Sequence, residues 1–321
     1  MLKYAIKRIL LMLLTLCIII SLCFILIRLL PPAQLSPEDP HTEIIEARRE
    51  AMGYNKPLLV QLIIFWRDVL LRGDFGISDK LYVGREVLPL FLSKMPATVL
   101  VNLYAILVSI PIGILLGVIA ALKKNTWIDH MISTLTMVVI SVPSFVYAFL
   151  VQYLFAYRLG WLPFLMESGT DYFSWTMFRS MLPAILSLSF GVIAGFARIT
   201  RAELSEVLGS EYMLLARAKG LSRGQAVRKH ALKNSMVVIL PTILGQFIGI
   251  LSGSLIIEKI FSIPGVGQLY INSITALDYP IFILNTAFYT AVGLVAAIIV
   301  DISYSLIDPR IRMGGGRGDR S

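Results

Sequence analysis

Six stretches of the chain contain no Asp, Glu, Lys or Arg: Ile9–Ile27, Pro96–Leu122, Met131–Tyr157, Ser180–Ala197, Asn234–Ile257 and Tyr279–Val300. They run from 18 to 27 residues, which fits the ~17–25 apolar residues that carry a helix across a bilayer, the longest ones with tilt. The pattern predicts an all-α integral membrane protein with six transmembrane helices. Between the first two runs lies a polar stretch of about 65 residues, opened by Pro31, Pro32, Pro37 and Pro40. Within it His41 to Ala51 has helical composition. Leu58 to Leu71 is apolar, carries Trp66, Arg67 and Asp68, and predicts a helix on or near the membrane surface. Gly73, Gly76 and Gly84 mark turns before the second run.

An even number of spans puts both termini on one side, and the Lys/Arg bias of the loops selects the side. Residues 1–8, 123–130, 198–233 and 308–321 carry 17 Lys and Arg in 66 residues, whereas 31–95, 158–179 and 258–278 carry 11 in 108. Cytoplasmic N- and C-termini follow as the expectation. The chain is 57% hydrophobic and 15% charged, against ~45–50% and ~25% in soluble domains, which excludes a soluble protein. The formal charge of +9 is accounted for by the inner loops, so it describes topology and not a nucleic-acid patch, which would need bases interleaved with aromatics on a folded domain.

Lys3, Lys7 and Arg8 before the first run resemble a signal peptide. However, the run exceeds the ~7–15 residues of a signal h-region and no small-x-small site follows, so a retained anchor helix is expected. Cys17 and Cys23 are the two cysteines. Six residues apart and roughly 120° around a helix, they cannot pair.

Small residues recur at every fourth position in three runs: Ser109, Gly113, Gly117; Ser187, Gly191, Gly195; Gly245, Gly249, Gly253. Such stripes let backbones approach in lipid, so these spans are expected to pack against helices. Pro111, Pro143 and Pro241 fall inside runs and should kink them. The plain alternative is packing irregularity; the sharper one is a pathway that changes shape. Arg28 and Asp301 lie at span ends, where they can snorkel or cap. Asn102, Gln152, Gln246, Ser252 and Ser254 are the neutral polar groups left to wet a pathway, with interhelical hydrogen bonding as the competing explanation.

Several chemistries are missing from the sequence. No G-x-x-x-x-G-K-[ST] is present, so the phosphate cradle of that ATPase class is absent. His41, His130 and His230 lie in three separate loops and no H-E-x-x-H occurs, which disfavours an intramembrane enzyme and gives no metal site. The sequence calls for no cofactor. The glycine-rich tail Gly314 to Ser321 is flexible by composition.

Arg201 to Asn234 is the longest inner loop. Leu204, Val207, Leu208, Glu211, Leu215 and Ala218 recur at three or four, the period of one helix with an apolar stripe. Arg217 and Lys219 stand in its last turn and Gly220 can take the left-handed position that ends it. Ser222 with Gln225 forms a capping box for a second, basic helix through Arg223, Arg228, Lys229 and Lys233. A solvated topology-setting loop is one explanation for this helical hairpin. The other is a docking element fitting a groove on a cytosolic partner.

These residues resemble the B-type permease subunit of oligopeptide, dipeptide and nickel ATP-binding-cassette importers. The resemblance rests on ARAKGLS at Ala216–Ser222 and HALKN at His230–Asn234, together with GDFGIS at Gly73–Ser78, MPATV at Met95–Val99, SVPSF at Ser141–Phe145 and ARITRAE at Ala197–Glu203. EKIFSIPGVGQL at Glu258–Leu269, DYP at Asp278–Pro280 and DPRIR at Asp308–Arg312 complete it. Against the general importer pattern E-A-A-x3-G-x9-I-x-L-P the chain reads Leu214, Leu215, Ala216, Gly220, His230, Leu232, Lys233, so the Glu and Pro are lost and the Gly is kept.

The resemblance implies a type I importer permease fold in the cytoplasmic (inner) membrane and a peptide pathway without catalysis of its own. Its partners would be a homologous C-type permease, two cytosolic ATPases that bind the ATP, and an external solute-binding protein. Glu211, Ala216, Arg217, Ala218, Lys219, Gly220, Leu221 and Arg223 would carry the coupling to an ATPase. Ser262–Leu269 and Gly73–Ser78 would either dock the binding protein or simply form turns. The implied organisation is a first helix with external segment over 1–95, a five-helix core over 96–307 containing the hairpin 201–234, and a tail over 308–321. A nickel or metal-chelate permease of the same family stays open, as does a stand-alone channel or ion-coupled carrier, although the latter lacks membrane acids and charged rings.

Overall fold

The computed structural model describes residues 2–30, 42–51, 53–252 and 254–307. The prolines at 31–40, His41, Gly253 and the 308–321 tail lie outside them, as do the side chains of Ser252 and Asp301. The described residues are almost wholly helical. In chain order the helices are α1 (Leu2–Leu29), α2 (Thr42–Ala51), α3 (Leu58–Arg72), α4 (Val87–Leu122), α5 (Trp127–Ser141), α6 (Ser144–Val151), α7 (Trp175–Leu208), α8 (Glu211–Ala218), α9 (Arg223–Ala226), α10 (Leu232–Gly249), α11 (Leu255–Ile260), α12 (Val266–Ala276) and α13 (Tyr279–Ile307). Wider π-helical turns extend α6 through Gln152–Arg158 and carry α9 into α10 across Val227–Ala231.

Five stretches are long and apolar enough to cross a membrane: Ile6–Leu29, Val87–Leu122, Trp175–Leu208, Arg223–Gly249 and Tyr279–Val300. A sixth is a broken pair, Trp127–Ser141 with Ser144–Arg158, bent by 100°. The bend has a local cause. Pro143 supplies no amide hydrogen, and Val142, the residue before it, is driven to extended backbone (ψ 128°). The straight span predicted over 131–157 is therefore two helices. Likewise the run predicted over 234–257 ends as a helix at Gly249 and resumes as α11. Pro111, Pro183 and Pro241 lie within α4, α7 and α10, whose helices continue through them.

The chain packs as two compact units, Met1–Val99 with Leu251–Val295 and Leu100–Ile250 with Ala296–Ser321. In the first, Val87, Leu90 and Phe91 of α4 meet Val266 and Leu269 of α12 and Ile281 and Leu284 of α13. Ile20 and Phe24 of α1 pack with Ile283, Ala287, Phe65 and Trp66, and the Trp66 indole donates to the Ser21 hydroxyl at 2.9 Å. Cys17 and Cys23 are free thiols. Gly73, Gly76 and Gly84 all take positive φ (64°, 96° and 77°), so the expected turns between α3 and α4 are present.

Two buried carboxylates organise the irregular backbone of this unit. Asp278, fully buried, accepts from the Ser78 hydroxyl at 2.5 Å and from the backbone N–H groups of Lys80 and Leu81 at 3.1 and 3.0 Å. Glu258 accepts from the Thr98 hydroxyl at 2.7 Å and from the Gln268 N–H at 3.0 Å. Thr98 in turn accepts from the Val266 N–H at 2.9 Å. In a loop, as at Lys80 and Leu81, or in the first turn of a helix, as at Val266 and Gln268, these amides have no intrahelical partner, so buried side-chain oxygens satisfy them. Gly265 and Gly267 bring the backbone against the Glu258 carboxylate, where a Cβ on either would clash.

In the second unit α4 crosses α7 at its glycines. A Cβ on Gly113 would stand 2.7 Å from Phe196 Cβ, and one on Gly117 would stand 2.6 Å from the Ala197 carbonyl oxygen. The α4 stripe thus packs as expected. The other two spans also pack against helices, α7 against α5, α6 and α10, but not through each glycine of their stripes: a Cβ on Gly191, Gly195 or Gly249 would meet open space, and one on Gly245 would stand 3.4 Å from Val300. Periodicity of small residues marks a face that can be approached closely, not the element that approaches it.

Candidate functional site

The 201–234 loop is a hairpin of helices, built differently from the single helix that periodicity predicts over 201–218. α7 continues to Leu208, Gly209 follows, and Ser210 turns to extended backbone (ψ 152°) before α8 starts at Glu211. The Ser210 hydroxyl donates to the Val207 carbonyl, an interaction that competes with helix propagation. The break resets the helical phase. Leu215 and Ala218, expected on the apolar stripe, are exposed; Met213 and Ala216 are buried instead, with Leu204, Ala121, Ala226 and Ala231. Alanine at four of these six positions lets α8 and α9 seat closely on the ends of α4 and α7.

Beyond α8 the sequence-derived signals hold. Gly220 has φ +89°, a conformation that costs an L-residue with a Cβ. Its N–H donates to the Arg217 carbonyl at 3.0 Å and the Leu221 N–H reaches the Ala216 carbonyl at 3.3 Å, which satisfies carbonyls at the helix end. The capping box is complete: the Gln225 N–H donates to the Ser222 hydroxyl at 3.3 Å and the Ser222 N–H to Gln225 Oε1 at 3.0 Å. Arg223 also donates to the Leu122 carbonyl at 3.4 Å, where a cation favours the C-terminal end of α4.

Of the eight residues singled out for coupling, Glu211, Arg217, Ala218, Lys219, Gly220 and Arg223 are exposed and Leu221 is half-buried. Ala216 is in the core and acts on the surface only by seating α8. Tyr212, Leu214 and Leu215 join them on the surface, with Leu214 65% and Leu215 55% exposed. Apolar and basic side chains therefore share one face around Gly220.

Sequence reasoning missed an ion pair that ties α7, the helix leading into this hairpin, to α5. Arg201, near the end of α7, donates Nη2 to Asp129 Oδ2 at 2.9 Å and Nε to the other carboxylate oxygen. Asp129 is fully buried and also accepts from the Asn125 N–H at 2.9 Å. A bidentate guanidinium fixes direction as well as distance. A lone acid in a basic loop was the signal available for it.

Of the pathway candidates, Gln152 is buried and its amide nitrogen donates to the Phe164 carbonyl at 2.9 Å, so it ties a loop down. Asn102 and Gln246 are half-buried on α4 and α10, while Ser254, half-buried, precedes α11 in the other compact unit. The 262–269 segment, weighed as a docking surface, is largely buried, with Ile263 and Val266 fully so; of 73–78, Gly76, Ile77 and Ser78 are buried as well. These segments are core turns. Among the described residues no group of three or more His, Cys, Asp and Glu is placed to hold a metal ion.

Apolar spans, a broken span and a helical hairpin seated on span ends define a multi-span membrane protein of the transport-permease class. The family described as binding-protein-dependent transport system inner membrane component matches residues 113–313, and the chain belongs to that family. It is 35% identical over 98% of its length to the whole of a dipeptide transport system permease protein of Lactococcus lactis. To an oligopeptide transport system permease protein of Haemophilus influenzae it is 35% identical over 97% of its length and all of that protein. The permease fold is also that of the methionine ABC transporter solved in inward-facing conformations, with a TM-score of 0.53 at 17% identity over 68% of this chain and 96% of that one.

Proposed function

We propose that the protein forms the translocation pathway for peptides in an ATP-driven, binding-protein-dependent importer, with the face around Gly220 coupling it to a cytosolic ATPase. The carrying observation is that hairpin: a short helix with exposed Leu214, Leu215 and Arg217, ended by Gly220 at positive φ and held from behind by an alanine-rich core. Full-length likeness to dipeptide and oligopeptide permeases supports the substrate class. In this mechanism Glu211, Arg217, Lys219 and Arg223 make polar contacts to the ATPase, Leu214, Leu215 and Leu221 fill its groove, and Ala216 and Ala218 allow close approach. Closure of the ATPase pair pushes α8. The Arg201–Asp129 pair passes the push to α5, whose 100° junction with α6 is the element able to change shape.

This assignment places both termini in the cytoplasm, the 1–95 segment largely outside, and the 308–321 tail inside. A C-type permease would complete the pathway, covering faces such as that of Gly191 and Gly195. The test is reconstitution of the purified complex in proteoliposomes with its binding protein, followed by peptide uptake and ATP hydrolysis. Gly220→Val should leave membrane insertion and complex assembly intact and lower uptake per ATP at least tenfold. Normal uptake in that variant would remove the hairpin from the mechanism, and a binding protein that takes nickel but no peptide would replace the substrate.

A further inference from the structure

The broken pair α5–α6 carries an exposed face that is sorted by side-chain chemistry from end to end. On α5, Trp127, Met131, Leu135 and Val138 recur at three or four and are all exposed, while Asp129, Ile132 and Thr136 on the opposite side are buried. On α6 and its π-helical extension Phe145, Phe149, Tyr153 and Tyr157 are exposed, with Ala148 and Val151 buried. The following loop adds exposed Trp161 and Trp175. It is held in place, since the Arg179 guanidinium donates to the Trp161 carbonyl at 2.7 Å and the Ser180 hydroxyl accepts from the Glu167 N–H at 3.1 Å. Aromatics with a polar edge therefore stand at both ends, and apolar side chains stand between them. A contact between proteins concentrates Trp and Tyr near its centre; the two surfaces of a bilayer draw them to the ends.

Charge follows the same order. No Asp, Glu, Lys or Arg occurs from Met131 to Tyr157, whereas Lys123 and Lys124 are exposed just before Trp127 and Arg158 is exposed just after Tyr157. Cations thus bound the apolar stretch at the two levels where lipid phosphates lie. The exposed acids Glu167 and Asp171 come later, in the loop between Trp161 and Trp175, and do not interrupt the face.

The break itself is completed as a setting without water requires. Pro143 has no N–H to give the Val139 carbonyl, which stands four residues before it. The Tyr147 hydroxyl donates to that carbonyl instead, and the Ser141 hydroxyl donates to the Met137 carbonyl at 2.8 Å. In hydrocarbon a freed backbone carbonyl must find its partner within the protein. Length agrees as well. α5 and the stretch Ser144–Arg158 have 15 residues each, about 22 Å of helix apiece. With the 100° bend split evenly about the bilayer normal, the two rise ~29 Å together, which matches a hydrocarbon core of ~30 Å.

We propose that α5–α6 crosses the bilayer as one bent span with this face covered by lipid. Trp127, Lys123 and Lys124 lie in one headgroup layer, Tyr157, Trp161 and Trp175 lie in the other, and the face from Leu135 to Phe149 meets acyl chains. Any partner subunit then packs on another face of the chain.

The experiment is electron paramagnetic resonance on the permease purified from its native membrane with every subunit that accompanies it and returned to phospholipid vesicles. On a Cys17→Ser, Cys23→Ser background, a nitroxide is attached in turn to Trp127→Cys, Val138→Cys, Phe149→Cys and Tyr157→Cys. Collisions with oxygen, which concentrates among acyl chains, are compared with collisions with a water-soluble nickel chelate. The oxygen-to-nickel ratio is expected to be at least tenfold higher at Val138 and Phe149 than at Trp127 and Tyr157. Few collisions with either reagent at Val138 and Phe149 would put a protein partner on the face. A ratio there no higher than at the ends would put water on it, and either result overturns the proposal. Leu135→Cys and Phe145→Cys probe the same depths should a labelled variant fail to assemble. The readout needs no transport, so it stands or falls apart from the peptide pathway proposed above.

Discussion

The 258–268 segment and the 209–231 hairpin meet the same demand, a turn between helices beside the membrane, by opposite means. In the first, a buried carboxylate gathers the orphan amides and the glycines bring the backbone against it. In the second, local caps satisfy the amides and alanines fill the core. The first arrangement turns its side chains inward: Ile257, Phe261, Ile263 and Val266 are fully buried. The second leaves Leu214, Leu215 and Arg217 at the surface. A segment that caps its backbone with exposed side chains keeps its outer face available for a partner; one that gathers its amides on a carboxylate buried beneath it becomes part of the core.

Four tests sharpen this contrast. Asp278→Leu removes the acceptor shared by Ser78, Lys80 and Leu81, and each buried donor left unpaired costs about 1–3 kcal/mol. The detergent-solubilised chain should show the largest fall in unfolding temperature of the set, with Asp278→Asn recovering part of it. Gly117→Leu should cost about 1–3 kcal/mol or more through overpacking against Ala197 and Thr200, whereas Gly195→Leu in the isolated chain should stay within about 0.5 kcal/mol. Equal losses would mean that α7 presents both faces to packed neighbours.

The next effect depends on pH. Burial raises the Glu258 carboxyl to about 7, more than the hydrogen bonds from Thr98 and the Gln268 and Gly267 amides lower it. An unfolded glutamate titrates near ~4.3, so between there and about 7 the native state holds a proton that the unfolded state has lost. Stability should fall as pH rises through that window and level off above it. Glu258→Gln should flatten the slope in thermal scans from pH 5 to pH 8. The smallest effect on stability belongs to the double change Leu214→Asp and Leu215→Asp, within about 0.5 kcal/mol for exposed positions. Its consequence should be seen in affinity purification, where the ATPase no longer accompanies the permease.

Local signals survived into the structure where the deciding interaction is itself local. Gly220 and the Ser222–Gln225 box lie within six residues of one another, and each took the conformation its own sequence demands. The hydrophobic phase of α8 did not survive, because two residues, Gly209 and Ser210, interrupt the helix and shift every later side chain around its axis. The stripe of Gly191 and Gly195 failed for another reason: its pattern matches that of Gly113 and Gly117, yet only the latter pair meets a helix. Asp129, Asp278 and Glu258 read in the sequence as ordinary loop acids, and their partners stand 72, 200 and 160 residues away.

The sequence alone determined that the chain is helical and crosses a membrane, since runs of apolar residues have no other stable state in lipid, and it located the hairpin through its caps. Tertiary structure alone decided which glycines are contacts, which helix is broken by 100° at Pro143, and which carboxylates hold the turns. Those outcomes depend on what a distant segment places within a few ångströms, and close packing and buried hydrogen bonds act only at that range.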